Sequence, residues 1–333
     1  MKPHLKLFLT AILGAIALQT TGNPSGTAAD QTDTPFSATN TKCTISADIV
    51  DAPAAGQDCS LSPDTQTLTL YKFALCKSKP AAPTTDTVVD LTDCSSIYDG
   101  EGQLVTISSA DRAQSTPLSG ATKPDDGDYS YLYVELSPTL SIQTKVTFST
   151  VVGDSNSTTN GSVCWTIPNQ GGTLNNWSTN AQGSMPLVTQ CGNAPGDAPG
   201  VTSITYNSFN GNSFINAVTN LPISGGLPVA NGGAGHLNSL DAYLLGADSK
   251  LANPDTPAVN QFNNVARLAG VMKLPVPVTI TSATTNVALR YNNSLGSHIA
   301  TQTPFTSSAR VPVSKFGLGP FDMTVTATTG PAP

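Results

Sequence analysis

From Cys43 onward, apolar and polar residues alternate over short runs bounded by Gly, Pro, Asn and Ser, the period of strands rather than of helices. The clearest run is Gln66 to Cys76, where Leu68 and Leu70 share one parity while Phe73 and Leu75 take the other. Side chains alternate strictly along a strand, so this midway switch calls for a bulge or for burial on both faces. Gln103 to Ile107 is a shorter strand. Tyr129 to Leu136 sets Tyr129, Tyr131 and Tyr133 against Leu132, Val134 and Leu136, giving one aromatic and one aliphatic face. Ser141 to Val151 follows a Ser137-Pro138 turn, and the two runs are expected to form a hairpin. Cys164 to Ile167 and Pro186 to Cys191 read as strands on either side of an Asn- and Gly-rich loop.

The segment 192–200, with its repeated Ala-Pro-Gly steps, supports neither a helix nor a central strand. It is a candidate boundary between a disulfide-bearing unit over 43–191 and a second β-rich unit over 201–333. The competing reading is a long loop within one large sandwich. Beyond it, Leu237, Leu240, Leu244 and Leu245 have the spacing of a short helix. Val276 to Ser282, Val287 to Tyr291 and Phe321 to Thr328 are Val- and Thr-rich strands, the first two joined by a hairpin connection at Ala283 to Asn286. Pro275 and Pro277 confine their strand to an edge or to its opening residues. The expectation is an all-β protein of one or two Ig-like or jelly-roll-type sandwiches with long Gly/Asn-rich loops.

The N-terminus changes the picture from architecture to location. A basic start, Met1 to Lys6, precedes an apolar run from Leu7 to Leu18 and then small polar residues, the layout of a secretory signal over 1–29. The run is too short for a permanent membrane span, which takes roughly 20 residues. Residues 30–42 form a polar arm that is too hydrophilic to fold alone. Six cysteines follow, Cys43, Cys59, Cys76, Cys94, Cys164 and Cys191, all before the boundary segment. An even count behind an export signal points to disulfides. Their order favours Cys43 with Cys59, Cys76 with Cys94 and Cys164 with Cys191, although six cysteines permit fifteen pairings. No Cys-x-x-Cys spacing invites zinc. Charged residues make up 11% of the chain and the net charge is −7. With no cluster of Lys and Arg, a nucleic-acid partner is disfavoured, and the low charge density permits close packing of copies.

Catalytic signals are scarce. There is no Gly-x-Ser-x-Gly elbow, and after the leader only His236 and His298 remain, neither at metal-binding spacing. The densest acid cluster, Asp125, Asp126 and Asp128, precedes a strand and reads as a turn, with calcium the ion it could hold. Tyr129, Tyr131 and Tyr133 would lie about 7 Å apart on one strand face, a spacing suited to stacking on sugar rings, although cross-strand packing is the commoner use of such rows. Asn156, Asn160, Asn176 and Asn292 sit in Asn-x-Ser/Thr sequons.

The run Leu70 to Cys76, with Asp93-Cys94, Ile97 to Asp99 and Asp128 to Val134, resembles a unit in uncharacterised secreted, cysteine-containing, β-rich surface proteins of marine bacteria. The resemblance implies an exterior disulfide-bearing β unit and carries no catalytic or ligand residues. These readings predict a secreted or cell-surface structural or adhesive protein, not an enzyme and without a cofactor. It would be a filament, pilus or coat subunit partnered by copies of itself or by other surface proteins. The arm over 30–42 and the end strand Phe321 to Thr328 are the segments expected to add to a neighbour's sheet edge. The alternative is a carbohydrate- or receptor-binding module with glycan partners at the tyrosine face.

Overall fold

The computed structural model describes residues 8–10, 43–52, 58–108, 115–153, 160–167, 172–173, 189–193, 199–205, 215–216, 221–222, 240–252, 254–256, 261–262, 264–292, 297–302, 313–318 and 322–329. Every regular element among them is a strand. The main sheet runs β12 (Gly172–Thr173), β14 (Thr202–Thr205), β9 (Thr139–Gln143), β5 (Thr65–Cys76), β8 (Gly127–Leu136), β20 (Arg267–Ile280) and β17 (Leu240–Leu245), with β6 (Cys94–Ser108) on the other side of β5. A second sheet runs β13 (Thr189–Gly192), β11 (Asn160–Thr166), β10 (Lys145–Gly153), β23 (Val313–Leu318), β22 (Ser297–Gln302) and β4 (Asp58–Leu61). The short strands β2 (Ile45–Ser46) and β3 (Ile49–Val50) join it through β10. A cover sheet runs β24 (Asp322–Thr329), β21 (Thr284–Asn292), β1 (Phe8–Thr10) and β7 (Ser115–Pro117). Two small ribbons complete the list, β15 (Ile215–Asn216) with β16 (Leu221–Pro222) and β18 (Pro254–Thr256) with β19 (Gln261–Phe262).

The largest core lies between the main and cover sheets, where Leu70, Phe73, Leu75, Leu132, Val134 and Leu136 meet Val287, Leu289, Tyr291, Met323 and Val325. Burial of each such side chain contributes about 1.5–3 kcal/mol, which makes this interface the main source of stability. The parity switch in β5 is real: its ladders to β6 and to β8 both slip between Leu70 and Lys72. Ahead of the slip Leu68 and Leu70 face this core, and after it Phe73 and Leu75 do so, while Ala74 and Cys76 turn to the opposite face. Gly102, at φ +116°, lies against the Tyr71 ring at the slip, where a Cβ would come within 2.7 Å of Cε1.

The three disulfides join Cys43 to Cys59, Cys76 to Cys94 and Cys164 to Cys191, as the order of the cysteines predicts. The last two link residues directly opposite each other in adjacent strands. Cross-links closing loops of this length contribute about 3 kcal/mol each and fit an oxidising compartment. Two of them, with Val146, Phe148, Val152 and Ile299, form the core of the second sheet. Among the described residues no helix is long and apolar enough to cross a membrane.

Strand pairing departs from the local expectations in several places. The hairpin expected at Ser137-Pro138 is not formed: β8 and β9 run one after the other along the same side of β5, and Ser137 N–H donates to Thr69 O at 2.8 Å across the break. The run Ser141 to Val151 is divided at Thr144, where the chain leaves the main sheet as β9 and enters the second sheet as β10. The Thr166 backbone N–H donates to Thr144 O at 3.0 Å and the Thr166 hydroxyl donates to Gly200 O at 2.6 Å, which ties three chain crossings together at this corner. The hairpin expected at Ala283 to Asn286 is likewise absent, because β20 lies in the main sheet and β21 in the cover sheet. Of the leucines expected to form a helix, Leu240, Leu244 and Leu245 lie in β17 instead, paired antiparallel with β20 from Leu240 opposite Met272 to Leu245 opposite Arg267, and Leu237 lies outside the described residues. Pro275 and Pro277 sit in the middle of β20, beyond the reach of β17 and where the ladder to β8 lapses between Lys273 and Val278. A strand tolerates proline there because no ladder bond is demanded of it.

The segment 192–200 does not separate one sheet from another. On its far side β14, β17 and β20 complete the main sheet, and β22 and β23 complete the second.

Candidate strand-exchange site

The tyrosine row does not form an open platform. Tyr129 and Tyr133 are each 1% exposed, and only Tyr131 is half-buried. The rings also part company: Tyr129 joins the core beneath the cover sheet, whereas Tyr131 and Tyr133 pack on the opposite face with Tyr243, Ala269 and Val271. The slip between β8 and β20 falls between Tyr131 and Tyr129 and accounts for the local irregularity. The Tyr129 hydroxyl donates to Asp125 O at 2.8 Å and the Tyr133 hydroxyl to Glu135 Oε1 at 2.7 Å. Burial, reinforced by the Glu135 charge, pushes the Tyr133 hydroxyl far above the ordinary phenol range, and burial with Asp241 does the same to Tyr243. Both therefore act as neutral packing groups.

The acid cluster is dispersed in the same way. Asp126 pairs with Lys123 at 3.0 Å, Asp128 accepts from the Thr279 hydroxyl at 2.6 Å, and the Asp125 backbone N–H donates to Ser95 Oγ at 3.0 Å. Among the described residues no three His, Cys, Asp or Glu side chains gather as a metal site, and Asp125, Asp126 and Asp128, which read as a turn that could hold calcium, each engage different partners. The side chain of His298 and all of His236 lie outside the described residues, as do the arm over 30–42 and the sequons at Asn156 and Asn176.

What the structure brings together is a strand position. In the cover sheet, β21 is held on one side by β24 over a ladder from Thr284 opposite Thr329 to Asn292 opposite Asp322. On its other side lies β1, parallel, with Phe8 opposite Ala288, Leu9 opposite Leu289 and Thr10 opposite Arg290. The far side of β1 pairs antiparallel with β7, and β7 has no other strand partner among the described residues. Both walls are anchored independently of β1. Val287, Leu289 and Tyr291 are buried in the main core, with Gln66 Nε2 donating to the Tyr291 hydroxyl at 3.0 Å. Leu118, immediately after β7, is buried in the same core.

The consecutive burial of Val287, Ala288 and Leu289 marks β21 as a strand covered on both faces. That run was legible in the sequence as Val-rich. The residues that fill the position beside it were not, because Phe8, Leu9 and Thr10 belong to the stretch that reads as an export signal. No family model, curated protein or solved structure matches this chain.

Proposed function

We propose that this chain is an extracellular structural or adhesive surface protein whose copies assemble by strand exchange. The observation that carries the reading is the origin of β1: an interior strand of the cover sheet is drawn from the predicted leader. An exported protein that loses its leader loses that strand, and an interior position then offers unpaired backbone N–H and C=O groups to another strand. Three disulfides, a low charge density and cores built from packed sheets fit a building block of the exterior.

Electron microscopy with light scattering on the protein secreted from its native cells tests this directly. Ordered polymers, filaments or coats are expected. A uniform monomer at all concentrations would contradict the reading.

A further inference from the structure

We infer that β1 is an inhibitor of assembly in cis: it holds the position between β21 and β7 in its own copy, and strand exchange waits until the chain behind it is cut. This inference rests on the strand-exchange reading above and adds the control of that same site.

β1 is a short occupant of a long position. β21 has nine residues, and β1 pairs with three of them, Ala288, Leu289 and Arg290. On its far side β1 meets β7 over the same three residues. By contrast β24 pairs with β21 from one end of that strand to the other. Two residues ahead of the ladder to β1, Asn286 is buried with its Oδ1 unpaired, so a polar demand at the head of β21 is left unmet.

A ladder this short holds weakly by itself. Each backbone hydrogen bond replaces one to water and adds little net free energy, while ordering the strand costs conformational entropy at every residue. No disulfide helps: none of the six cysteines lies in β1, β7 or β21. What retains β1 is its connection to the rest of the chain, which presents it at an effective concentration in the millimolar range, far above that of a second copy in dilute solution. A cut between β1 and Cys43 removes that advantage. The three-residue strand then leaves, and a strand from a second copy that pairs with more of β21 takes its place.

The position outlasts its occupant because its walls are held elsewhere. β21 keeps β24, its buried Val287, Leu289 and Tyr291, and the hydrogen bond from Gln66 to Tyr291. β7 is fixed at its end by Leu118 in the same core.

The test uses the full chain with a site-specific protease sequence inserted after Ala29, folded and oxidised before any cut. Light scattering and electron microscopy are expected to show a monomer before cleavage and ordered polymers after it. In a second form, Thr10→Cys with Arg290→Cys, a disulfide between directly opposed residues locks β1 onto β21. Mass spectrometry of the non-reduced digest is expected to find this bond beside the three native ones, and the locked protein is expected to stay monomeric after the same cut. An uncut chain that polymerises as readily as the cut one would overturn the inference while leaving strand exchange standing. So would polymers from the locked and cut protein, or failure of the 10–290 bond to form. A cut chain that stays monomeric while the native secreted protein polymerises would overturn it as well. If neither polymerises, the strand-exchange reading falls, and the inference with it.

Discussion

β5 and β21 are both interior strands with consecutive buried residues, but their neighbours have different origins. β5 lies between β6 on one side and β8 with β9 on the other, all from the region behind the leader, and a disulfide joins its last residue to β6. β21 has β24 on one side and, on the other, β1 from the stretch that reads as a leader. The same chemistry, a strand with apolar residues facing both ways, thus yields a closed region in one place and a conditional one in the other. Burial alone does not reveal which is which. The difference appears only when each ladder is traced to the segment that supplies it.

Under the proposed strand exchange, the closed region is responsible for stability and the conditional region for assembly. The largest stability effect is expected at Phe73, fully buried after the slip in β5: Phe73→Ala should cost about 3–5 kcal/mol in urea unfolding. Removing a staple comes next. Cys164→Ser with Cys191→Ser should cost about 2–4 kcal/mol, measured by the same unfolding curves under oxidising conditions. Gly161→Ala should follow at about 1–3 kcal/mol, because a Cβ at that position would lie 1.8 Å from the Gly192 carbonyl carbon and the two strands would have to separate.

The smallest effect is one of pH. Burial raises the Asp64 carboxyl above its ordinary range, while the Lys145 N–H, donating to Asp64 Oδ2 at 3.0 Å, and the Lys145 charge pull it partly back. The folded state therefore binds this proton more tightly than the unfolded chain, so the contribution of Asp64 to stability falls as pH rises through that range. Asp64→Asn keeps an acceptor for the Lys145 N–H and should raise Tm slightly at pH 7, with the gain disappearing below about pH 3.9, where the unfolded carboxyl is also protonated. Calorimetry across pH 3 to 7, roughly the span of carboxylate titration, checks the sign. All four variants should shift the stability of the arm-deleted monomer and of the assembled protein alike. A shift confined to the assembled form would erase the distinction between the two regions.

Much of the closed region was legible in sequence, since its determinants are local. The slip in β5 shows as the change from Leu68 and Leu70 to Phe73 and Leu75, and the cysteine pairs are neighbours in order. Partner choice was not legible. Ser137-Pro138 and Ala283 to Asn286 have turn chemistry, but whether a turn returns a strand to its own sheet or sends it to another depends on distant surfaces. The leucines of β17 satisfy helical spacing, and pairing with β20 overrides that weak preference. The tyrosine row was expected on one face, but the slip against β20 turns Tyr129 to the face opposite Tyr131 and Tyr133, and a sheet covered on both faces leaves Tyr129 and Tyr133 no solvent to face. The strand position beside β21 was hidden for a different reason: its occupant β1 comes from the N-terminal segment, whose composition reads as export and not as packing.

Hydrogen exchange along β21 tests the central claim most directly. In the arm-deleted, leader-processed monomer, amides of Thr284–Asn292 that face away from β24 should exchange fast, and in the native assembled protein the same amides should be protected. Equal protection in both states would mean that β21 needs no strand from another copy, and the account of a conditional cover sheet would be wrong.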